Sequence, residues 1–81
     1  MRSIGRSGSG GAGKRHYSLS LREIEVLEWV GHGKSAREIA VILNITKRTI
    51  NAHALSAVRK MGAVNRTNAV AIAIRDRIIK V

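Results

Sequence analysis

The chain of 81 residues reads as all-α, a four-helix bundle over residues 19–81 behind a disordered Gly/Ser-rich leader over 1–18. Three observations predict this class. Two Ser-x-x-Glu boxes, Ser20 to Glu23 and Ser35 to Glu38, each open a run of apolar residues at helical spacing. Residues suited to ending a helix come after each run: Gly31 and Gly33, then Asn44, then Gly62. The single strand-like alternation, Val70-Ala-Ile-Ala-Ile74, has no partner strand in the chain and is read as helix.

The first box starts the first helix. Ser20 accepts the backbone N–H of Glu23 while Glu23 reaches back to Ser20, and Leu19 and Ile24 are placed for a hydrophobic staple. Ile24, Leu27 and Val30 then recur on one face. The second box opens a short helix with Ala36, Ile39, Ala40 and Leu43 facing inward. Asn44-Ile45-Thr46 breaks it: Asn44 suits a left-handed turn, Ile45 anchors the turn, and Thr46 caps the third helix. That helix is expected from about Lys47 to Met61. At 100° per residue, Ile50, Ala54, Ala57, Val58 and Met61 form its apolar arc. Arg48, Asn51, Ala52, Leu55 and Arg59 form the opposite arc. Asn65 caps a fourth helix that carries Ala69, Val70, Ala73 and Ile74.

Composition bounds what such a bundle does. Fifteen Lys and Arg against five Asp and Glu give a formal charge of +10. With no Cys, disulfides, thiolate zinc sites and cysteine nucleophiles are excluded together, and the three His have no carboxylates at ligand spacing. No residue pair supports nucleophilic or acid–base catalysis, so the expectation is a non-enzymatic module without cofactor or metal. The longest apolar run, Ala69 to Ile74, falls far short of the roughly 20 residues a membrane span needs. The expected compartment is the cytoplasm.

The charge is uneven. Arg2, Arg6, Lys14 and Arg15 sit on the Gly/Ser-rich leader, whose composition buries no apolar surface. From Leu21 to Gly33, Arg22 faces Glu23, Glu25 and Glu28. From Lys34 to Arg66, seven basic residues face only Glu38, a net of +6, so a polyanion would meet the middle of the chain. Within the leader, Gly8 to Lys14 imitates phosphate-binding glycine motifs. Those motifs need a strand before and a helix after to aim backbone N–H groups, and nothing strand-like precedes Gly8. Linker is the better reading.

A short helix, a three-residue turn and a longer helix that opens with a basic face make a helix-turn-helix pattern. Residues 19–81 resemble the LuxR/FixJ-type helix-turn-helix domain. The resemblance rests on Leu19-Ser-Leu-Arg-Glu-Ile-Glu-Val-Leu27, Gly33-Lys-Ser-Ala-Arg-Glu-Ile-Ala40, Leu43-Asn-Ile-Thr46, Thr49-Ile-Asn-Ala-His53, Arg59-Lys-Met61, Asn65-Arg66 and Ala69-Val70. Trp29 followed by Gly33-Lys34-Ser35, and Asn65-Arg66-Thr67, are most similar to the quorum-sensing branch.

The resemblance implies a bacterial transcription regulator at the nucleoid that binds dyad-symmetric promoter DNA as a dimer, with RNA polymerase as a further candidate partner. It places base contacts at Asn51, Ala52 and Leu55, which the helical wheel independently puts outward. Asn51 would pair with adenine, and Ala52 and Leu55 would meet thymine methyls. Many relatives carry Lys or Arg at one or both of the positions of Asn51 and Leu55, so the family's base preference does not transfer. Lys34, Thr46, Lys47, Arg48, Thr49, His53 and Arg59 are the phosphate candidates; Lys60 and Arg66 read as ordinary surface charge. Glu23 is the capping carboxylate and is placed to hold a basic side chain of the third helix. Trp29 reads as a packing residue. The fourth helix is the expected dimer surface, through Asn68, Ala69, Ile72 and Ala73, without which a lone domain reads only half a site; the alternative is that the two alanines simply pack on the first helix.

Three rival readings stand beside this one, the first a cationic membrane-active peptide, against which the capping boxes and four separate helices specify a packed domain. A protein-interaction module, like an antiactivator, would turn the basic helix toward an acidic partner. Region 4 of sigma factors shares the helix-turn-helix grammar but lacks the Gly33-to-Ala40 and Asn65-Arg66 pieces.

Overall fold

A computed structural model describes residues 17–81. The Gly8 to Lys14 motif and nearly all of the leader lie outside the described residues. Among these residues there are helices α1 (Leu21–Gly31), α2 (Ala36–Leu43), α3 (Lys47–Met61) and α4 (Arg66–Arg75), with no strand.

Each boundary has a local cause. Glu23 N–H donates to Ser20 Oγ at 3.0 Å and Ser20 N–H donates to Glu23 Oε1 at 2.8 Å. Ser35 and Glu38 repeat the exchange at 3.1 and 2.8 Å. Such reciprocal bonds satisfy amides that a helix start leaves without partners. Asn44 ends α2 in the left-handed region at φ 56°, ψ 45°, where its short polar side chain costs less than a branched one. Thr46 then caps α3, its Oγ1 accepting from Thr49 N–H at 3.1 Å. Gly62 closes α3 at φ 64°, and Ala63 N–H bonds back to Val58 O at 3.0 Å. Asn65 and Asn68 cap α4 jointly: Asn68 N–H donates to Asn65 Oδ1 at 2.8 Å, and Val64 N–H to Asn68 Oδ1 at 2.9 Å.

Two apolar clusters hold these helices. Val26, Ile39, Ile50 and Ala54 join α1, α2 and α3, with Trp29, Leu43 and Ile45 packed around them. Leu27, Ala57, Met61, Ala69, Val70, Ala73 and Ile79 join α1, α3 and α4. Adjacent residues of α1, Val26 and Leu27, therefore enter different clusters, and Val30 touches both. The expected single stripe of Ile24, Leu27 and Val30 is too narrow for this reason: a helix lying between two cores buries two faces. The arc assigned to α3 matches, with Ile50, Ala54, Ala57 and Met61 buried and Val58 half-buried.

The fourth helix requires a correction. Ala69 and Ala73, expected at a dimer surface, are 0% exposed inside the chain's own core. Their small side chains let α4 approach its own bundle closely, so neither faces a second copy. Ile74 is 41% exposed, while Ile79 beyond the helix is buried. The chain reaches it by a turn: Arg77 takes φ 60° and Ile78 N–H donates to Ala73 O at 2.8 Å.

Tyr17, expected in the leader, docks on the domain. Its hydroxyl donates to Asp76 Oδ2 at 2.6 Å, tying the chain entering α1 to the end of α4.

Candidate nucleic-acid interface

The turn Asn44-Ile45-Thr46 sets α3 across the bundle with one arc in the core and the other in solvent. On the solvent arc Arg48, Ala52 and Arg59 are exposed, Leu55 is 49% exposed, and Asn51 is half-buried. The structure thus brings the three base-reading candidates, Asn51, Ala52 and Leu55, onto one face. Helix α3 contains no Asp or Glu, so nothing on it repels a polyanion.

The phosphate candidates surround that face unequally. Lys47 and Arg48 are exposed in the first turn of α3, and Lys34 is exposed before α2. Thr46 takes up the Thr49 N–H, which leaves the Lys47 and Arg48 amides without a bond to any described residue. Amides of this kind at a helix start, with the positive end of its dipole, suit an anion. The Thr46 and Thr49 hydroxyls lie 2.8 Å apart and bond each other, so both are held locally. His53 is half-buried at the edge of the apolar arc. Glu38, the only carboxylate in this middle stretch, has its acidity strengthened by the Ser35 N–H and hydroxyl and is committed to its cap.

Lys60 leaves the basic face. Its ammonium donates to Glu23 Oε1 at 2.9 Å and to Ser18 O at 3.0 Å, so it is the basic residue of α3 that Glu23 holds. Glu23 is almost fully buried. Burial alone would raise its pKa. Hydrogen bonds from Ser56, the Ser20 N–H and Lys60 outweigh that and bring it from 4.5 to about 2. The pair fixes the roll of α3 against α1, and with it the direction in which Asn51 and Leu55 point.

Arg66 is the residue whose place sequence reasoning missed. From the first turn of α4 its guanidinium donates to Asn51 Oδ1 at 3.3 Å. A wheel drawn for one helix does not reveal a contact across the Gly62 turn. Two apolar residues on the outer side of α2 are equally invisible to a wheel that sorts by polarity: Val41 is 78% exposed and Ile42 43%. Trp29 behaves as expected, packed on the first cluster with its ring 5.8 Å from that of His32.

Known proteins carry the same arrangement. Residues 17–73 match the family described as bacterial regulatory proteins, luxR family. The chain is 59% identical over 61 residues to the transcriptional activator protein BjaR1 of Bradyrhizobium diazoefficiens, covering 75% of this chain and 25% of the relative. It is 48% identical over 66 residues to the HTH-type quorum sensing-dependent transcriptional regulator RpaR of Rhodopseudomonas palustris, covering 82% and 27%. It therefore spans about a quarter of the length of these relatives. Among solved structures, Escherichia coli SdiA superposes with a TM-score of 0.75 at 35% identity, covering 82% of this chain and 28% of SdiA. The transcription factor GerE superposes with a TM-score of 0.69 at 26% identity, covering 75% of this chain and 90% of that one. A quarter-length match to whole regulators and a nearly full-length match to GerE describe one helix-turn-helix unit, and this chain belongs to the luxR family of bacterial regulatory proteins as a DNA-binding domain, not an enzyme.

Proposed function

We propose that the domain binds dyad-symmetric promoter DNA as a dimer, within a quorum-sensing regulator of the bacterial cytoplasm and nucleoid. Each copy lays α3 in a major groove. The observation that carries this reading is the exposed arc of α3, basic at both ends through Arg48 and Arg59, free of carboxylates, and rolled outward by the Glu23–Lys60 pair. Lys34, Thr46, Lys47, Arg48, Thr49, His53 and Arg59 contact phosphates, which position the helix; Asn51, Ala52 and Leu55 meet base edges, which carry sequence information. Two copies place their α3 helices about 34 Å apart, one turn of B-DNA.

With Ala69 and Ala73 buried, the dimer surface falls on the outer side of α4. Asn68 and Ile72 are half-exposed there, beside the exposed Ala71 and Ile74. RNA polymerase is the second partner this reading assigns, since the relatives named as activators act on transcription.

The test is binding to an inverted repeat of about 20 base pairs across a salt series. Each neutralised phosphate contributes about 0.9 to the slope of log K against log salt, so a dimer should give a slope of about −5 or steeper. A slope near zero would remove the DNA reading and favour an acidic protein partner.

A further inference from the structure

Two consecutive residues ahead of α1 take an uncommon backbone path. Tyr17 and Ser18 both sit at φ 55°, the left-handed region that residues with a Cβ avoid. Such a conformation persists only where its surroundings hold it. Three contacts do so here. The Tyr17 hydroxyl donates to Asp76 Oδ2 at 2.6 Å, and the Tyr17 side chain packs, half-buried, on the cluster that joins α1, α3 and α4. The Ser18 carbonyl accepts from the Lys60 ammonium at 3.0 Å.

Both polar partners belong to the elements that present the candidate interface. Lys60 is the ammonium that also binds Glu23 at 2.9 Å and so fixes the roll of α3 against α1. Asp76 is the buried C-cap of α4, shortly after Ile74 on its outer side, and Arg75 holds it through Nε and Nη2 at 3.1 and 3.2 Å. The Ser18 side chain is exposed and makes no hydrogen bond to a described residue, so the bent path rests on its carbonyl and on Tyr17.

We propose that Tyr17-Ser18 is a latch that transmits the position of the chain preceding it to α3 and to the end of α4; the proposal rests on the DNA-binding reading above. Seated, the latch holds Lys60 between Ser18 and Glu23 and closes the end of α4, and this is the arrangement that binds an inverted repeat. A pull on the preceding chain returns the two residues to extended backbone, which they prefer locally, withdraws Tyr17 from Asp76 and leaves Lys60 with Glu23 alone. Coupling of this kind is reciprocal: DNA favours the seated latch by the factor with which the seated latch favours DNA.

The test uses the full chain and four substitutions. Ser18→Pro locks φ near −65° and cannot seat, whereas Ser18→Gly accepts φ 55° without steric cost. Tyr17→Phe removes the hydroxyl alone. Chymotrypsin cuts after Tyr or Phe, so its rate at the 17–18 bond reads the open population. Tyr17→Phe should be cut about ten-fold faster than wild type, the worth of a hydrogen bond to a charged group. A saturating inverted-repeat duplex should slow the wild-type cut about five-fold, and Ser18→Pro should bind that duplex about five-fold more weakly than Ser18→Gly. The two factors should agree, which shielding of the bond by DNA does not require. Should Ser18→Pro lose its helical circular dichroism, Tyr17→Ala takes its place as the released form. A Tyr17→Phe chain cut at the wild-type rate overturns the latch. Equal affinity of the released form and Ser18→Gly overturns the coupling and leaves the DNA-binding reading intact. A wild-type chain that binds no duplex overturns both.

Discussion

Replacing Glu23 with glutamine removes one charge from an almost fully buried site and leaves its shape nearly unchanged. In the native chain the carboxylate receives the Ser20 N–H at 2.8 Å and the Lys60 ammonium at 2.9 Å, and its pKa falls from 4.5 to about 2. A shift of that size corresponds at most to about 3 kcal/mol, at about 1.4 kcal/mol per pKa unit. The Lys60 side chain is 36% exposed, and solvent screening of a half-exposed partner brings the expected loss at pH 7 to about 1–2 kcal/mol. The sign is set by linkage. The folded pKa lies below the unfolded one, so this stability is fully present above about pH 5 and is lost as pH falls toward 2. Urea unfolding of wild type and Glu23→Gln at pH 7, 4 and 2.5 reads the effect directly. The difference should be largest at pH 7 and shrink on acidification, with each kcal/mol worth about 4–8 °C in Tm for a domain of this size. A difference of the same size at all three pH values would refute the reasoning, because it would make Glu23 a packing residue and not an ionised anchor.

Other substitutions have equally definite outcomes. Asn44→Ala should cost about 1 kcal/mol in thermal unfolding, because alanine lacks the local bonding that tolerates φ 56°, whereas Asn44→Gly should be close to neutral. Arg48→Ala and Arg59→Ala should weaken every DNA sequence alike, each lowering the salt slope by about 0.9 per copy without changing base preference. Ile74→Asp, at a 41% exposed position, should leave the fold intact and abolish cooperative binding to an inverted repeat, while the same charge at Ala69 should prevent folding; circular dichroism and gel shift separate the two.

How much of the fold is legible in the order of residues depends on the range of each interaction. Capping boxes span four consecutive residues, so Ser20–Glu23 and Ser35–Glu38 are readable from spacing alone, as are the stops at Asn44 and Gly62. The arc of α3 is also a local property, and its wheel separates Ile50, Ala54, Ala57 and Met61 from Arg48, Ala52 and Leu55. Contacts between helices are a different matter. Glu23 is legible as a carboxylate awaiting a basic partner, yet only packing selects Lys60, 37 residues away. Ala69 and Ala73 satisfy close approach to a second copy and close approach to α1 equally well on paper; the chain uses them for its own core. Val26 escapes because α1 serves two clusters, and a one-stripe amphipathic pattern assumes one. The Arg66 contact with Asn51 crosses the α3–α4 turn and leaves no periodic signature at all.

The central claim is that the outward arc of α3 is the surface that meets DNA. Backbone chemical-shift mapping of the 15N-labelled chain on titration with an inverted-repeat duplex tests it most directly. The largest shifts should cluster at Lys34, at residues 46–52 and at Leu55 and Arg59, and should diminish together as salt is raised. Shifts centred instead on the acidic side of α1, at Glu25 and Glu28, or spread evenly over the domain, would contradict the account.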